Sequence, residues 1–172
     1  MDIKAALIKD HSKAITDKIV KYVGNNDDRF ALLVDIYLKG PYRITQRAAW
    51  PLSHCVVTHP NLIDGHLAKI LKFVKQPGNH DAVKRNTIRL LQFIEIPKRY
   101  HGQVVDMCFG YLTDAKEPIA IKVFSMTVLA NLVKGIPELK EELRIVIEDQ
   151  MPYGSAGFIS RGKKVLKALA KP

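Results

Sequence analysis

One spacing of about 38 residues recurs through this chain and constrains its fold more than any other feature. Apolar or small residues recur at this spacing in two adjacent series: Leu32, Ile70, Cys108, Val146 and Leu33, Leu71, Phe109, Ile147. A second set follows in the next predicted helix: Ile44, Val83, Ile121, Ile159 and then Leu52, Leu91, Leu129. A bundle of unrelated helices does not readily keep one residue class at one spacing in both members of each helix pair. The period therefore predicts a stack of helical hairpins.

The apolar residues follow helical spacing nearly throughout, and strand alternation is almost absent, so the fold class is predicted to be all-α. About eight or nine helices are predicted, at residues 11–23, 27–39, 42–58, 61–75, 80–95, 98–113, 117–134, 138–150 and 155–170. Pro51 falls inside one of them and should kink it. Four glycines follow predicted helices and are expected to end them with positive φ: Gly24, Gly40, Gly78 and Gly135.

The second helix of each hairpin resembles that of HEAT-type repeats, in which an apolar residue, a basic residue, two small residues and an apolar pair follow one another. Residues 83–91 read VKRNTIRLL and residues 121–129 read IKVFSMTVL, and the run 47–52 fits the middle of the pattern. The resemblance implies a right-handed α-solenoid in one domain, residues 1–172, with about four hairpins over 27–170 behind an N-terminal cap, residues 1–26. Lysines replace apolar residues near the end of the last repeat, as expected where one face of a terminal repeat is solvated.

Composition and motifs exclude several classes of function. With 47% apolar and 26% charged residues, the 172-residue chain has the composition of a globular protein and the length of a single domain. Phosphate-binding loops, nucleophile elbows, zinc-protease helices and CxxC pairs are all missing from the sequence. His54 and His59 flank Cys55, but a separation of five residues does not place two ligands on one helix face. The chain is therefore expected to bind no metal or cofactor and not to be an enzyme.

Two isolated cysteines, Cys55 and Cys108, lie among apolar neighbours and are predicted to be buried rather than paired. The N-terminus has no uninterrupted apolar segment, and the longest uncharged stretch, residues 48–63, is short for a membrane span and contains prolines. These features favour a cytoplasmic location and no contact with a membrane. The acidic helix at 138–150 mixes glutamates with Lys140 and Arg144 at helical spacing, which predicts a solvated, ion-paired face.

The net charge of +10 is concentrated in the middle of the chain and at its end, with +8 over residues 39–99 and +5 over 151–172. In HEAT stacks the second helices line the concave surface, where partners bind, so the resemblance implies a basic concave face. Trp50 shares a repeat position with Arg89 and Thr127 and is placed on the same face. The candidate partner-binding residues are Arg43, Arg47, Trp50, Lys84, Arg85, Arg89, Lys122, Arg161, Lys163 and Lys164. The alternative is that these cations brace neighbouring repeats and hydrate the surface.

Three functions are compatible with these features. The first is a non-catalytic binding or scaffold module that holds an acidic protein segment or a nucleic acid. The second is an enzyme similar to the HEAT-like DNA glycosylases, which use aromatic residues and an acidic residue beside the damaged base. This sequence departs from that pattern, since it has one tryptophan and no acidic residue clearly placed beside it. The third is a self-associating structural protein.

Overall fold

The computed structural model describes residues 1–171, and within them all regular structure is helical, as predicted. The chain divides into two compact units, residues 1–94 and the remainder from Glu95. The first unit contains α1 (Ile3–Lys9), α2 (Lys13–Val23), α3 (Asp27–Lys39), α4 (Tyr42–Thr58), α5 (Leu67–Val74) and α6 (Asp81–Leu91). The second contains α7 (His101–Thr113), α8 (Ile119–Val133), α9 (Leu139–Gln150) and α10 (Ala156–Leu169). Three short 3₁₀ turns are Pro60–Ile63, Lys98–Tyr100 and Met151–Tyr153.

Local sequence explains several helix ends. The side chains of Asp2, Ser12, Asn26 and Ser155 accept hydrogen bonds from backbone N–H groups of the helices that they precede. Positive φ is found at Gly24 (53°) and Gly78 (81°), as predicted. The prediction was wrong for Gly40 and Gly135, which have ordinary φ. Gly40 is required for another reason, because a Cβ there would lie 2.6 Å from the carbonyl oxygen of Ile36.

Each unit is organised around one buried second helix. In the first unit, α4 packs against α1, α2, α3 and α6, and its buried residues occupy one broad side of the helix, whereas Arg47, Trp50 and His54 on the other side are half-buried. In the second unit, α8 packs against α7, α9 and α10 and is apolar around most of its circumference. The second helices α4, α6, α8 and α10 begin 39, 38 and 37 residues apart, which agrees with the period of the sequence.

Both adjacent series of the period contribute to the core. Leu33, Leu71 and Ile147 of the second series are fully buried, and so are Ile70 and Cys108 of the first. Leu32 is 49% exposed, and Val146 and Phe109 are half-buried. The inner face of the first helices is thus formed by residues of both series. No helix within residues 1–171 combines the length and the apolar character needed to cross a bilayer.

Several elements differ from the sequence prediction. The helix predicted at 80–95 ends at Leu91, and the first residues of the helix predicted at 98–113 form the 3₁₀ turn Lys98–Tyr100. The N-terminal segment, expected to supply one capping helix at 11–23, contains two helices, since α1 precedes α2 and contacts both α2 and α4. Ile3 and Leu7 are the buried residues of α1, and this single apolar pair is too short to show a period. The segment predicted as one helix at 61–75 is divided at Asp64 into a 3₁₀ turn and α5.

Candidate functional site

Charge is segregated between the two kinds of helix in this fold. The second helices α4, α6, α8 and α10 together carry ten lysines and arginines and one acidic residue, Asp81. The first helices α3, α5, α7 and α9 carry six basic and eight acidic residues. In each unit, the positive charge of the helices is therefore concentrated on the second helices.

A cluster of aromatic and basic side chains in the first unit joins α4 and α6 to the segment between α1 and α2. The indole N–H of Trp50 donates to Nε2 of His54 over 2.9 Å, and a guanidinium nitrogen of Arg89 lies 3.1 Å from the same Nε2. The ring of His11 meets the ring of Trp50 edge to face, with 5.8 Å between centroids. These four residues, His11, Trp50, His54 and Arg89, are called the Trp50 cluster below.

The hydrogen bonds fix the state of His54. Indole and guanidinium N–H groups can only donate, so Nε2 must offer its lone pair and the neutral ring must carry its proton on Nδ1. Burial, followed by the positive charge of Arg89, lowers the pKa of His54 below its usual value. Burial and the charges of Arg47 and Arg85 likewise lower the pKa of His11, against the opposing effect of Asp10.

Arg47 is half-buried and holds the end of α1. Its guanidinium donates to the carbonyl oxygens of Leu7 over 2.7 Å and Ile8 over 3.0 Å. Terminal carbonyls of a helix have no partner within the helix, and a cation at that end also interacts favourably with the helix dipole. Arg47 therefore braces α1 against α4, which is the role that the alternative interpretation assigned to these cations.

Two further cations are also engaged within the second unit. Arg161 on α10 donates to the hydroxyl of Thr127 on α8 over 3.2 Å. Lys122 on α8 is 6% exposed, and its ammonium group lies 3.4 Å from Oε1 of Gln150 on α9. Both side chains thus connect neighbouring helices, and Lys122 is turned into the unit rather than toward solvent.

Four of the five remaining cations of the predicted set face water. Arg43 and Arg85 in the first unit and Lys163 and Lys164 in the second are exposed, and Lys84 is half-buried. The predicted residues therefore separate into a bracing group (Arg47, Arg89, Lys122, Arg161) and a solvent-facing group (Arg43, Arg85, Lys163, Lys164).

Sequence reasoning missed His11 and His54. A signal for His11 was present, because it precedes Trp50 by 39 residues, the interval that also separates Trp50 from Arg89. His54 follows Trp50 by four residues on the same helix, a spacing that places both on one face.

Other predicted features have simple structural roles. Cys55 and Cys108 are free and buried, as predicted, and burial raises the pKa of each thiol to about 12. On α9, Arg144 pairs with Glu141 at 2.5 Å and also with Glu148, which confirms the ion-paired face of the acidic helix. Its hydrogen bonds lower the pKa of Glu141.

Comparison with known proteins gives one positive result. Neither the curated proteins nor the solved structures give a significant match. The family model described as HEAT repeat domain matches residues 3–169, which includes α1 and all four hairpins. Together with the all-helical structure, this match assigns the fold to the α-solenoid class. The chain belongs to the HEAT repeat domain family.

Proposed function

We propose that this HEAT repeat domain is a non-catalytic binding module that holds an acidic partner through exposed cations of its second helices. The observation that carries the proposal is the segregation of charge, ten basic residues against one acidic residue on those helices. A surface of one sign raises the local concentration of partners of the opposite sign and speeds their association. HEAT repeat domains are typically scaffolds rather than catalysts, which supports the same function.

The contacts divide the proposed surface into anchoring and contacting residues. Arg89 and Arg47 hydrogen-bond within the protein, so their first contribution is to fix the positions of α4, α6 and α1. Arg43 and Arg85 are exposed and are available to pair with phosphates or carboxylates. Arginine favours such partners because its planar guanidinium forms paired hydrogen bonds with both groups.

The DNA glycosylase alternative receives no support from the surroundings of Trp50. The carboxylates that act electrostatically on the cluster are Asp10 and Asp17. Asp10 accepts from the hydroxyl of Ser12 over 2.5 Å, and Asp17 forms an ion pair with Lys13 at 2.5 Å. The hydrogen-bond partner of the indole is a histidine.

The test is fluorescence anisotropy with labelled single- and double-stranded DNA and RNA and with an acidic peptide, each at two salt concentrations. The variant Arg43→Glu/Arg85→Glu reverses two exposed cations of the second helices. Its matched control, Lys69→Glu/Lys72→Glu, makes the same change in net charge on the exposed side of the first helix α5. We expect the first variant to weaken binding by at least about tenfold and the control by less than about threefold. Salt screens charges that lie more than a Debye length from the partner, so the charges beside the partner affect binding more than the net charge of the protein.

The probe that binds, together with the salt dependence of its binding, separates the two kinds of partner. Binding to duplex DNA that falls with a log–log slope of about −0.9 per neutralised phosphate indicates a nucleic-acid partner. Binding to the acidic peptide with no measurable affinity for any nucleic acid indicates a protein partner. The proposal is wrong if no probe binds at low salt, or if the variant and its control weaken binding equally.

A further inference from the structure

A cavity of about 530 Å³ opens in the second unit, away from the exposed cations described above. It lies between the ends of α7 and α9 and the beginnings of α8 and α10. Ile119, Ile145, Val146 and Phe158 contribute its apolar walls. The volume is within the range of about 300–1,000 Å³ that is typical of small-molecule sites.

The buried lysine of α8 lines this cavity and lacks a partner of opposite charge. Lys122 is 6% exposed, and its ammonium group contacts the neutral Oε1 of Gln150 at the long distance of 3.4 Å. Within residues 1–171, no carboxylate lies within 4.0 Å of its ammonium nitrogen. An ammonium group has three N–H donors, and burying it without an anion is costly.

The amide beside Lys122 is held in a fixed orientation. Nε2 of Gln150 donates to the carbonyl oxygen of Leu112 over 3.1 Å, so Oε1 must face the ammonium group. The charge of Lys122 is therefore partly solvated by one amide dipole, and its other donors remain to be satisfied by a molecule in the cavity. Asp149 also lines the cavity, but it is exposed, so water and salt screen its charge.

The mouth of the cavity is unusually apolar for a surface. Ile119, Ile145 and Tyr153 are exposed by 42%, 52% and 91%, and all three line the cavity. They are three of the eight large hydrophobic side chains exposed in the described chain. Clustered exposed apolar residues beside a cavity mark a binding site rather than ordinary surface.

We propose that this cavity binds a small organic molecule that joins a carboxylate to an apolar body. The carboxylate pairs with the ammonium group of Lys122, and the body packs between Ile119, Ile145 and Phe158. The carboxylate supplies the negative charge that the buried ammonium group lacks as a partner. Binding also removes the apolar side chains of the walls from water, which stabilises the complex. The site is separate from the proposed acidic-partner surface, so either can fail without the other.

The experiment titrates the full chain with octanoate and with its neutral isostere octanamide, by calorimetry and by ¹H–¹⁵N NMR. The variants are Lys122→Met, which keeps the length and removes the charge, and Lys163→Met, which removes an exposed lysine of α10 as the matched control. We expect octanoate to bind the wild type at least about tenfold more tightly than octanamide, the difference that a charge-assisted pair supplies. Lys122→Met should abolish this preference, and Lys163→Met should keep it.

A further variant keeps the test decisive if Lys122→Met does not fold. Ile145→Glu changes an exposed side chain and places a carboxylate at the mouth of the cavity, so it should weaken octanoate binding more than octanamide binding. The proposal is overturned if octanoate does not bind saturably at millimolar concentration, or if octanoate and octanamide bind equally. It is also overturned if the NMR shifts lie outside the residues that line the cavity.

Discussion

Trp50 donates its indole N–H to Nε2 of His54, one turn further along α4, over 2.9 Å. The same nitrogen lies 3.1 Å from Arg89, so two obligatory donors from neighbouring second helices converge on one lone pair. A proton on Nε2 would oppose both donors at once. The hydrogen bonds that join Trp50, His54 and Arg89 therefore require a neutral imidazole.

This arrangement predicts a loss of stability in mild acid. The pKa of His54 is lowered from about 6.5 in the folded protein, so the unfolded chain takes up the proton first as the pH falls. The stability that neutral His54 contributes is complete above about pH 6.5 and is lost as the pH falls through the pKa of His54 in the folded protein. Urea titrations between pH 7.5 and 5, chosen to span the histidine range, should show the midpoint decreasing toward acid.

The variant His54→Gln tests the assignment, because its amide oxygen can accept from the same donors without titrating. We expect its stability to vary less with pH than that of the wild type. His59→Gln, which changes a histidine outside the Trp50 cluster, should retain the wild-type pH profile. A wild-type profile in His54→Gln would show that another group is responsible.

Arg47→Met should loosen α1 without unfolding the rest of the first unit. The substitution removes both hydrogen bonds to the carbonyls of Leu7 and Ile8 and keeps most of the apolar stem. Since the guanidinium is half-buried, we expect a loss of about 1–2 kcal/mol. Hydrogen exchange should become faster in residues 3–9, whereas Arg43→Met, which changes an exposed side chain, should leave their exchange unchanged.

The sequence predicts a helix well where its apolar residues repeat over several turns. The spans 27–39 and 42–58 agree with α3 and α4, because each contains several turns of apolar residues bounded by glycine or proline. Helix α1 was missed because its buried pair spans only one turn. The chain divides into two compact units, and the prediction of one domain over residues 1–172 stays a prediction.

The candidate site was harder to predict, because the direction of a long side chain depends on the neighbouring helices. Lys84 and Lys122 occupy matching positions in the repeat, yet Lys84 is half-buried at the surface and Lys122 is enclosed. Lys122 is enclosed because α8 packs against α7, α9 and α10, and no local pattern encodes this packing. The tertiary structure likewise decides which arginines brace helices and which face water.

Leu91→Ala should be among the more destabilising single substitutions in the first unit. Leu91 is 1% exposed on α6, which packs against α4. We expect a loss of about 2–5 kcal/mol from the lost burial and the cavity left behind. Phe93→Ala, at a position 47% exposed, should change stability by about 0.5 kcal/mol or less. A change below about 1 kcal/mol for Leu91→Ala in urea melts would contradict the repeat register.

Both cysteines should resist thiol reagents while the protein is folded. Burial raises the pKa of Cys55 and Cys108 to about 12, so the thiolate that reacts is scarce at pH 8, and neither side chain reaches solvent. Intact mass after treatment with a maleimide should show no label in the native protein and two in urea. Labelling of the native protein at the rate of the unfolded chain would show that the surrounding helices open readily.

Replacing glycine by alanine should change the stability of the protein in opposite directions at two glycines that have open space around them. A Cβ built on Gly110 in α7 or on Gly78 between α5 and α6 meets no atom within 4 Å. Gly110 has helical backbone, so Gly110→Ala should stabilise the protein by about 0.5–1 kcal/mol by reducing the freedom of the unfolded chain. Gly78 has φ of 81°, so Gly78→Ala should destabilise it by about 1 kcal/mol despite the space. Thermal melts of the two variants measure the effect of backbone conformation where packing is equally open. A shift of the melting temperature in the same direction in both variants would contradict this prediction.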